Sequence, residues 1–425
     1  MSKLRTVKLN ELAAPGRSVI SGPFGSNIGQ RFFQDAGVPV IRGNNLTTDF
    51  RKFNDEGFVF LTEEKADELK SDAIRGDILF TAAGTIGQVG MIPKSSKYDR
   101  YVISNKQLRF RVNPKIADPE YVYYWLASPW IYKTILSRNT GSTVPLINLG
   151  VIKSLPVSLP ESIIEQRKIS RLFSLIGEKI TLNNRINAEL EAMAKTLYDY
   201  WFVQFDFPNA NGKPYKTSGG KMVYNATLKR EIPAGWEVTN IGSVVRTELG
   251  GTPSTAVDDY WKGASIPWLS SAETASFPVI SSEQMVTQSG IDNSAATLLP
   301  KGTVVISIVR YIRPSILGLD AATNQSVVGI LENENLKSTF IYPYFCSEVP
   351  RLMGLRTGAQ QPHINKGTID DSPIAIPPAD VLANYYSVAD AIFEKIMVQA
   401  FQSYELTKLR DWLLPLLMNG QVTVK

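Results

Sequence analysis

Histidine and cysteine are nearly missing from this chain. His363 and Cys346 are the only ones among 425 residues. A single cysteine excludes an internal disulfide framework and suits a reducing interior. A single histidine leaves no basis for a His-based metal site or a Ser-His-Asp triad. No Gly-x-x-x-x-Gly-Lys-Ser/Thr loop is present to cradle nucleotide phosphates, and no Asn-Pro-Pro-Tyr stretch of the kind amino-methyltransferases use. No apolar run approaches the ~18 residues of a membrane span. The opening residues, MSKLRTVKLNELAAPG, hold no apolar signal core, so a cytoplasmic location is expected. What is there reads as a soluble globular protein, 44% hydrophobic and 20% charged, too long for one ordinary domain. The net charge of +5 and isoelectric point near 9.0 make it mildly basic, as nucleic-acid binders and many enzymes are. A chain of this length without a catalytic constellation points to binding.

The sequence repeats itself. TGSTVPLINLGVIKSLPVSLP (140–160) and TGAQQPHINKGTIDDSPIAIP (357–377) share nine of 21 positions at an offset of 217. GVPVIRGNN (37–45) has its counterpart in SIPWLSSAE (265–273), GDILFTAAGTIG (76–87) in GTVVISIVRYIR (302–313), and ISNKQ (103–107) in ATNQS (322–326). The offset drifts through 228, 226, 219 and 217, as small deletions in surface loops produce. A unit of this length is too long for a solenoid, so it is a duplicated pair of domains.

Each copy has two textures. Residues 1–160 and 232–377 hold short β-rich runs cut by Gly, Pro, Asn and Ser, such as 77–81, 101–103, 108–112 and 303–309. Both are expected to be mixed α/β domains around a twisted sheet. Residues 161–202 contain one glycine, Gly177, and no proline. Their apolar residues recur at Ile169, Phe173, Ile176 and Ile180, then at Ile186, Leu190, Met193, Leu197 and Tyr200, with a slip near Asn183. That spacing predicts a long helix with a coiled-coil seam. A second such helix is expected within 378–425, because Glu189, Leu190, Met193 and Leu197 match Glu405, Leu406, Leu409 and Leu413. Residues 203–231 read as an ordered, exposed connector. At ~1.5 Å per residue each helix spans roughly 60 Å. The simplest arrangement pairs them antiparallel as a rod with a globular domain at each end, related by a pseudo-two-fold axis. The alternative packs each helix on its own domain.

On this frame the chain resembles the specificity (S) subunit of type I restriction-modification enzymes. The resemblance covers essentially the whole chain. It rests on GGTPS…YWKGASIPWLSSAE (250–273), the two TG…P.IN.G.I…P boundaries, YDYWFVQFDFPNANGKPYKTSGGKM (198–222) and LRDWLLPLLMNGQV (409–422). It implies an α+β fold of two target recognition domains alternating with two helices that pair as an antiparallel coiled coil. It further implies that each domain reads half of a bipartite, asymmetric site on double-stranded DNA while the helices set the unread gap. The helices would dock two methyltransferase (M) subunits. No cofactor is expected on this chain. S-adenosylmethionine, ATP and Mg belong to the partner subunits, restriction (R) subunits being optional, and the S subunit itself is not catalytic. Other readings stay open: an orphan DNA-binding protein, a non-catalytic coiled-coil scaffold, or a two-domain enzyme without a visible site.

Candidate DNA-reading residues lie where the copies diverge. Ser142 and Thr143 face Ala359 and Gln360, with Gln361 next, and glutamine pairs bidentately with adenine. Gly84-Thr85-Ile86-Gly87 faces Arg310-Tyr311-Ile312-Arg313, and arginine is the commonest reader of guanine; a salt bridge to a residue such as Asp320 is the plain alternative. Near the second TG boundary lie Arg356, His363 and Lys366, with Arg138 and Thr140 near the first. Arg42, Asn44 and Asn45 follow a predicted strand and stand opposite Ser270, Ser271, Ala272 and Glu273; a turn is the alternative there. Lys106 and Gln107 are weaker candidates. Asn105 and Asn324, and likewise Asn148 and Asn365, read as loop-shaping pairs. On the helices, Leu172, Leu175, Leu182, Trp201, Phe202, Phe401 and Trp412 exceed what a two-helix seam needs, so they are candidates for a partner surface.

Overall fold

The computed structural model describes residues 3–424. It divides into two compact units: the residues up to Thr181 with those from Leu406 onward, and Leu182–Glu405.

In the first unit, one four-stranded antiparallel sheet has the order Val19–Ser21, Gln107–Phe110, Ile78–Thr81, Val89–Met91. A second has the order Val59–Leu61, Val38–Ile41, Tyr101–Ile103, Asp72–Ala73, with its central pair parallel. Ile78 and Phe80 pack into the cluster around Tyr121 and Phe173, while Leu79 joins Ile41 and Ile103 on the other face. Because both faces are covered, the strand is an unbroken apolar run rather than an alternating one. The second unit repeats the design. Its four-stranded sheet runs Thr247–Leu249, Val327–Ile330, Val304–Ser307, Arg313–Ile316, and its three-stranded one Gln284–Val286, Ile266–Leu269, Ala322–Thr323. Val304 and Ile306 face one cluster and Val305 the other. An antiparallel pair precedes each helix: Leu4–Lys8 with Pro156–Pro160, and Glu237–Asn240 with Pro373–Ile376.

The first long helix covers Ile163–Tyr198 and ends in a π turn over Asp199–Val203; the second covers Ala379–Met418. In the first unit Ile169 and Phe173 share a core with Leu414, Leu417 and Met418. In the second, Asn183 Nδ2 donates to Gln402 Oε1 at 2.9 Å and Asn187 Nδ2 to the Ile396 carbonyl at 3.1 Å. Rising numbers on one helix meet falling numbers on the other, so the pair is antiparallel. The slip at Asn183 is thus a buried polar layer. Beyond it the inward face passes through Asn187, Leu190, Ala194 and Tyr198. Met193, one place off that face, is 56% exposed rather than in the seam.

The connector is ordered by its aromatics. Phe207 stacks on Tyr215 at 4.8 Å and on Trp236 at 5.3 Å, and Phe205 meets the Trp236 edge at 5.4 Å. A hairpin of Met222–Asn225 with Arg230–Pro233 completes it.

Asn183 is fully buried and its Oδ1 has no hydrogen-bond partner. Such a residue sets register at a cost in stability. Asn183→Leu is therefore expected to melt no lower than the parent, with a gain of up to about 1–2 kcal/mol. Asn183→Asp is expected to lose about 3 kcal/mol, because it leaves a charge buried without a counter-ion. Thermal melts of the full chain check both.

Candidate nucleic-acid interface

In each unit the ends of the central strands and the loops that leave them are tied into one rim by backbone hydrogen bonds. In the first unit Gly22 N–H donates to Gln107 O (2.9 Å), Ser104 to Ile41 (3.0 Å), Ala82 to Lys106 (2.7 Å), Ile147 to Ala82 (2.8 Å), Gly84 to Pro145 (2.9 Å) and Thr140 to Leu146 (2.9 Å). In the second, Gly250 donates to Val327 (3.0 Å), Asn324 to Leu269 (3.0 Å), Ile308 to Ser326 (3.0 Å), Ile364 to Ile308 (3.0 Å), Arg310 to Pro362 (2.8 Å) and Thr357 to His363 (2.9 Å). The two sets correspond bond for bond. Two glycines are obligatory in them: a Cβ on Gly22 would lie 1.8 Å from Ser104 O, and one on Gly250 2.2 Å from Asn324 O. The bonding corrects one pairing, since Asn324 occupies the place of Ser104, and Asn105 that of Gln325. Asn148 and Asn365 do shape their loops alike. Each caps a short helix, accepting from Val151 N–H at 3.1 Å and from Thr368 N–H at 2.8 Å.

The turn after the inner strand is also built twice. Asn45 Oδ1 accepts the Arg42 N–H at 2.8 Å, and its amide donates to Asn54 O and Glu56 O. Glu273 does the same in the second unit, accepting the Ser270 N–H at 2.8 Å, the Ser270 hydroxyl, and the Glu283 N–H at 2.9 Å. Burial pushes the Glu273 carboxyl up, but hydrogen bonds from the Glu283 and Ser270 amides outweigh it and hold the group below its ordinary value. Asn45 is buried, so both residues are turn-holders rather than exposed readers.

Other expectations divide in the same way. Gln107 is fully buried beneath the rim, with neither side-chain polar atom partnered, so it is not an exposed reader. Arg42 is half-buried with Nη2 on Gly57 O (2.9 Å), and Arg138 with Nη1 on Ser154 Oγ (3.0 Å). Lys366 is paired with Asp370 at 2.8 Å. Arg356 braces the second rim, donating from Nε to Met353 O (2.9 Å) and from Nη1 to Arg310 O. Ser270 and Ser271 are half-buried within the capped turn. The residues that remain on the surface are Asn44, Lys106, Thr140, Ser142 and Thr143 on the first rim. On the second they are Arg310, Tyr311, Arg313, Gln360, Gln361 and His363. His363 bridges both Val309 and Thr357 on that rim. Asp320 binds the Lys301 amide rather than an arginine of the hairpin.

Arg310 has φ +62° and stands where the first unit has Gly84, at φ +85°. A left-handed backbone costs a residue with a Cβ about 1–2 kcal/mol, a cost glycine escapes. Phe24, absent from the expected readers, is 85% exposed in the loop that leaves Ser21 beside Asn105. The lone aromatic in SGPFGSN was the available signal.

On the helices, Trp201 and Phe202 are not surplus. The π turn swings both into the second unit's core, against Tyr385 and Phe340. Leu172 packs on the first core and Phe401 against Gly318, both half-buried. Leu175, Leu182 and Trp412 stay exposed, Trp412 by 64%. Among the described residues no group of acidic, His or Cys side chains is placed to hold a metal ion, and no helix is long and apolar enough to cross a membrane.

A family model described as "Type I restriction modification DNA specificity domain" matches the chain twice, over residues 28–192 and 233–404. The chain is 26% identical over 357 residues to the type I restriction enzyme MjaIX specificity subunit of Methanocaldococcus jannaschii, covering 83% of this chain and 78% of that one. It is 23% identical over 409 residues to the HindI specificity subunit of Haemophilus influenzae, covering 82% and 87%. Among solved structures, the S subunit of a type I system from M. genitalium superposes with a TM-score of 0.59 at 13% identity, covering 98% and 96%, which is a likeness of fold.

Removing the Glu273 carboxylate by Glu273→Ala is expected to cost about 1–2 kcal/mol at pH 7. A folded pKa below the unfolded one means this contribution is present at neutral pH and lost as pH falls through the folded value. The melting difference between variant and parent is therefore expected to close in acid.

Proposed function

The chain belongs to the type I restriction-modification specificity-subunit family, and on that premise we propose that each rim reads one half of a bipartite, asymmetric DNA site through the major groove. One observation carries this reading. The six backbone bonds of the rim recur in both units, while the exposed side chains mounted on them do not. A faithful repeat would present one chemistry twice, as symmetric dimers do to palindromes. Here one rim offers Lys106, Asn44, Ser142 and Thr143, and the other offers two arginines, two glutamines and a histidine. These are residue types that bond to base edges and phosphates. The paired helices set the unread gap. Methyltransferase subunits carrying S-adenosylmethionine dock on the helices, with restriction subunits as further partners, and this chain supplies no catalytic group.

The test is a genome-wide map of methylated adenines in a host lacking other methyltransferases, with this chain and its methyltransferase subunit expressed together and separately. The expected result is one bipartite motif that appears only with both. DNA retention by the complex should fall steeply with salt, with a log–log slope of about −0.9 per neutralised phosphate. Well-expressed complex with no motif and no salt dependence would favour a DNA-free scaffold.

Trp412 is the largest exposed apolar side chain on the second helix, and buried tryptophans dominate protein interfaces. Trp412→Ala is expected to weaken association with the methyltransferase subunit at least tenfold, measured by titration, while leaving the melting temperature of the chain within a degree or two.

A further inference from the structure

We infer that Arg310 is a specificity-determining residue of the second half-site, reading a guanine at the position where the first unit presents only the backbone of Gly84. The inference rests on the DNA-reading function proposed above and goes beyond it by assigning a side chain and a base.

Three observations meet at this residue. First, the duplication supplies an internal control. Gly84 and Arg310 bond through the same backbone N–H to the matching proline carbonyl, Pro145 O in one unit and Pro362 O in the other. Both have left-handed backbone. Glycine meets that geometry without strain, so an arginine there stands against the local preference. Second, the strained residue is braced: Arg356 donates to the Arg310 carbonyl, and the bridge between Val309 and His363 fixes the preceding residue. Such bracing is what a reading side chain needs, since bidentate recognition demands a fixed base for the guanidinium. Third, the Arg310 side chain is the least engaged of the arginines on this rim. Arg313 sits 5.4 Å from the Tyr311 ring centroid, and Arg356 is spent on backbone carbonyls. Arg310 is exposed, and its side chain has neither a hydrogen bond nor a ring contact among the described residues; Arg313, also exposed, makes only the ring contact. An arginine held at a rim with both edges of its fork free matches the O6 and N7 acceptors of guanine.

The placement predicts an unusual pair of effects. In the full complex with its methyltransferase subunit, Arg310→Gly should melt at the same temperature as the parent or higher. Its methylation motif should lose discrimination at one G·C pair of the half-site read by residues 232–377, with the other half unchanged and cognate affinity down tenfold or more. Arg310→Asn, which also tolerates left-handed backbone, should reproduce this. Arg310→Lys should restore affinity in part but not the lost base preference, because lysine is a point charge. An unchanged motif in Arg310→Gly would overturn the inference. So would weaker binding spread uniformly over all sequences with the motif intact, which marks a phosphate contact, or a clear fall in melting temperature in both variants. A wild-type complex that yields no motif removes the functional reading itself, and this inference with it.

Discussion

The structure turns on a backbone hydrogen bond between two segments far apart in the chain: Ile364 N–H to the carbonyl of Ile308, with its twin from Ile147 to Ala82. That bond fastens the loop before the helix to the hairpin at the end of the central strand. The remaining rim bonds then fall into register. A loop of this composition left unbonded would sample many conformations and could not hold side chains at fixed positions. Anchored, it becomes a rigid platform whose exposed positions can vary without disturbing the fold. This explains why the boundary sequences repeat at their Thr, Gly, Pro, Ile and Asn positions and diverge between them.

The same division of labour recurs beneath the rim. Asn45 and Glu273 are different residues with one task, accepting the backbone N–H three residues earlier. Either chemistry serves, because the turn needs only an acceptor. Ile78–Phe80 and Val304–Ile306 are apolar without a break because two clusters cover them. The long helices join this scheme as core elements. Ile169 and Phe173 complete one unit's interior, and Ala194, Tyr198, Trp201 and Phe202 the other's. Each core takes residues from both helices, which lie about two hundred residues apart in the chain, so neither globular half is complete without both.

Several site assignments failed for a common reason: polarity and position after a strand do not say which way a side chain points. Gln107 follows the Ser104 turn but begins a strand, and the pleat turns it inward. Asn45 looked like a reader and is a cap. Trp201 and Phe202 looked like surplus because a regular helix would have left them outside, whereas the π turn rotates them into the core. Phe24 escaped notice because a single aromatic in a Gly- and Ser-rich loop has no periodicity to reveal it.

By itself the sequence determined the duplication, the alternation of sheet domains with long helices, and the family. These depend on composition, period and spacing, which are local and repeat along the chain. Tertiary structure alone decided which polar residues stand on the rim and which are spent inside it. It decided that Asn183 is a buried layer rather than a break, and that Arg310 inherits a backbone geometry made for Gly84. Each of those outcomes depends on a partner tens to hundreds of residues away, and on a backbone angle that no residue type announces.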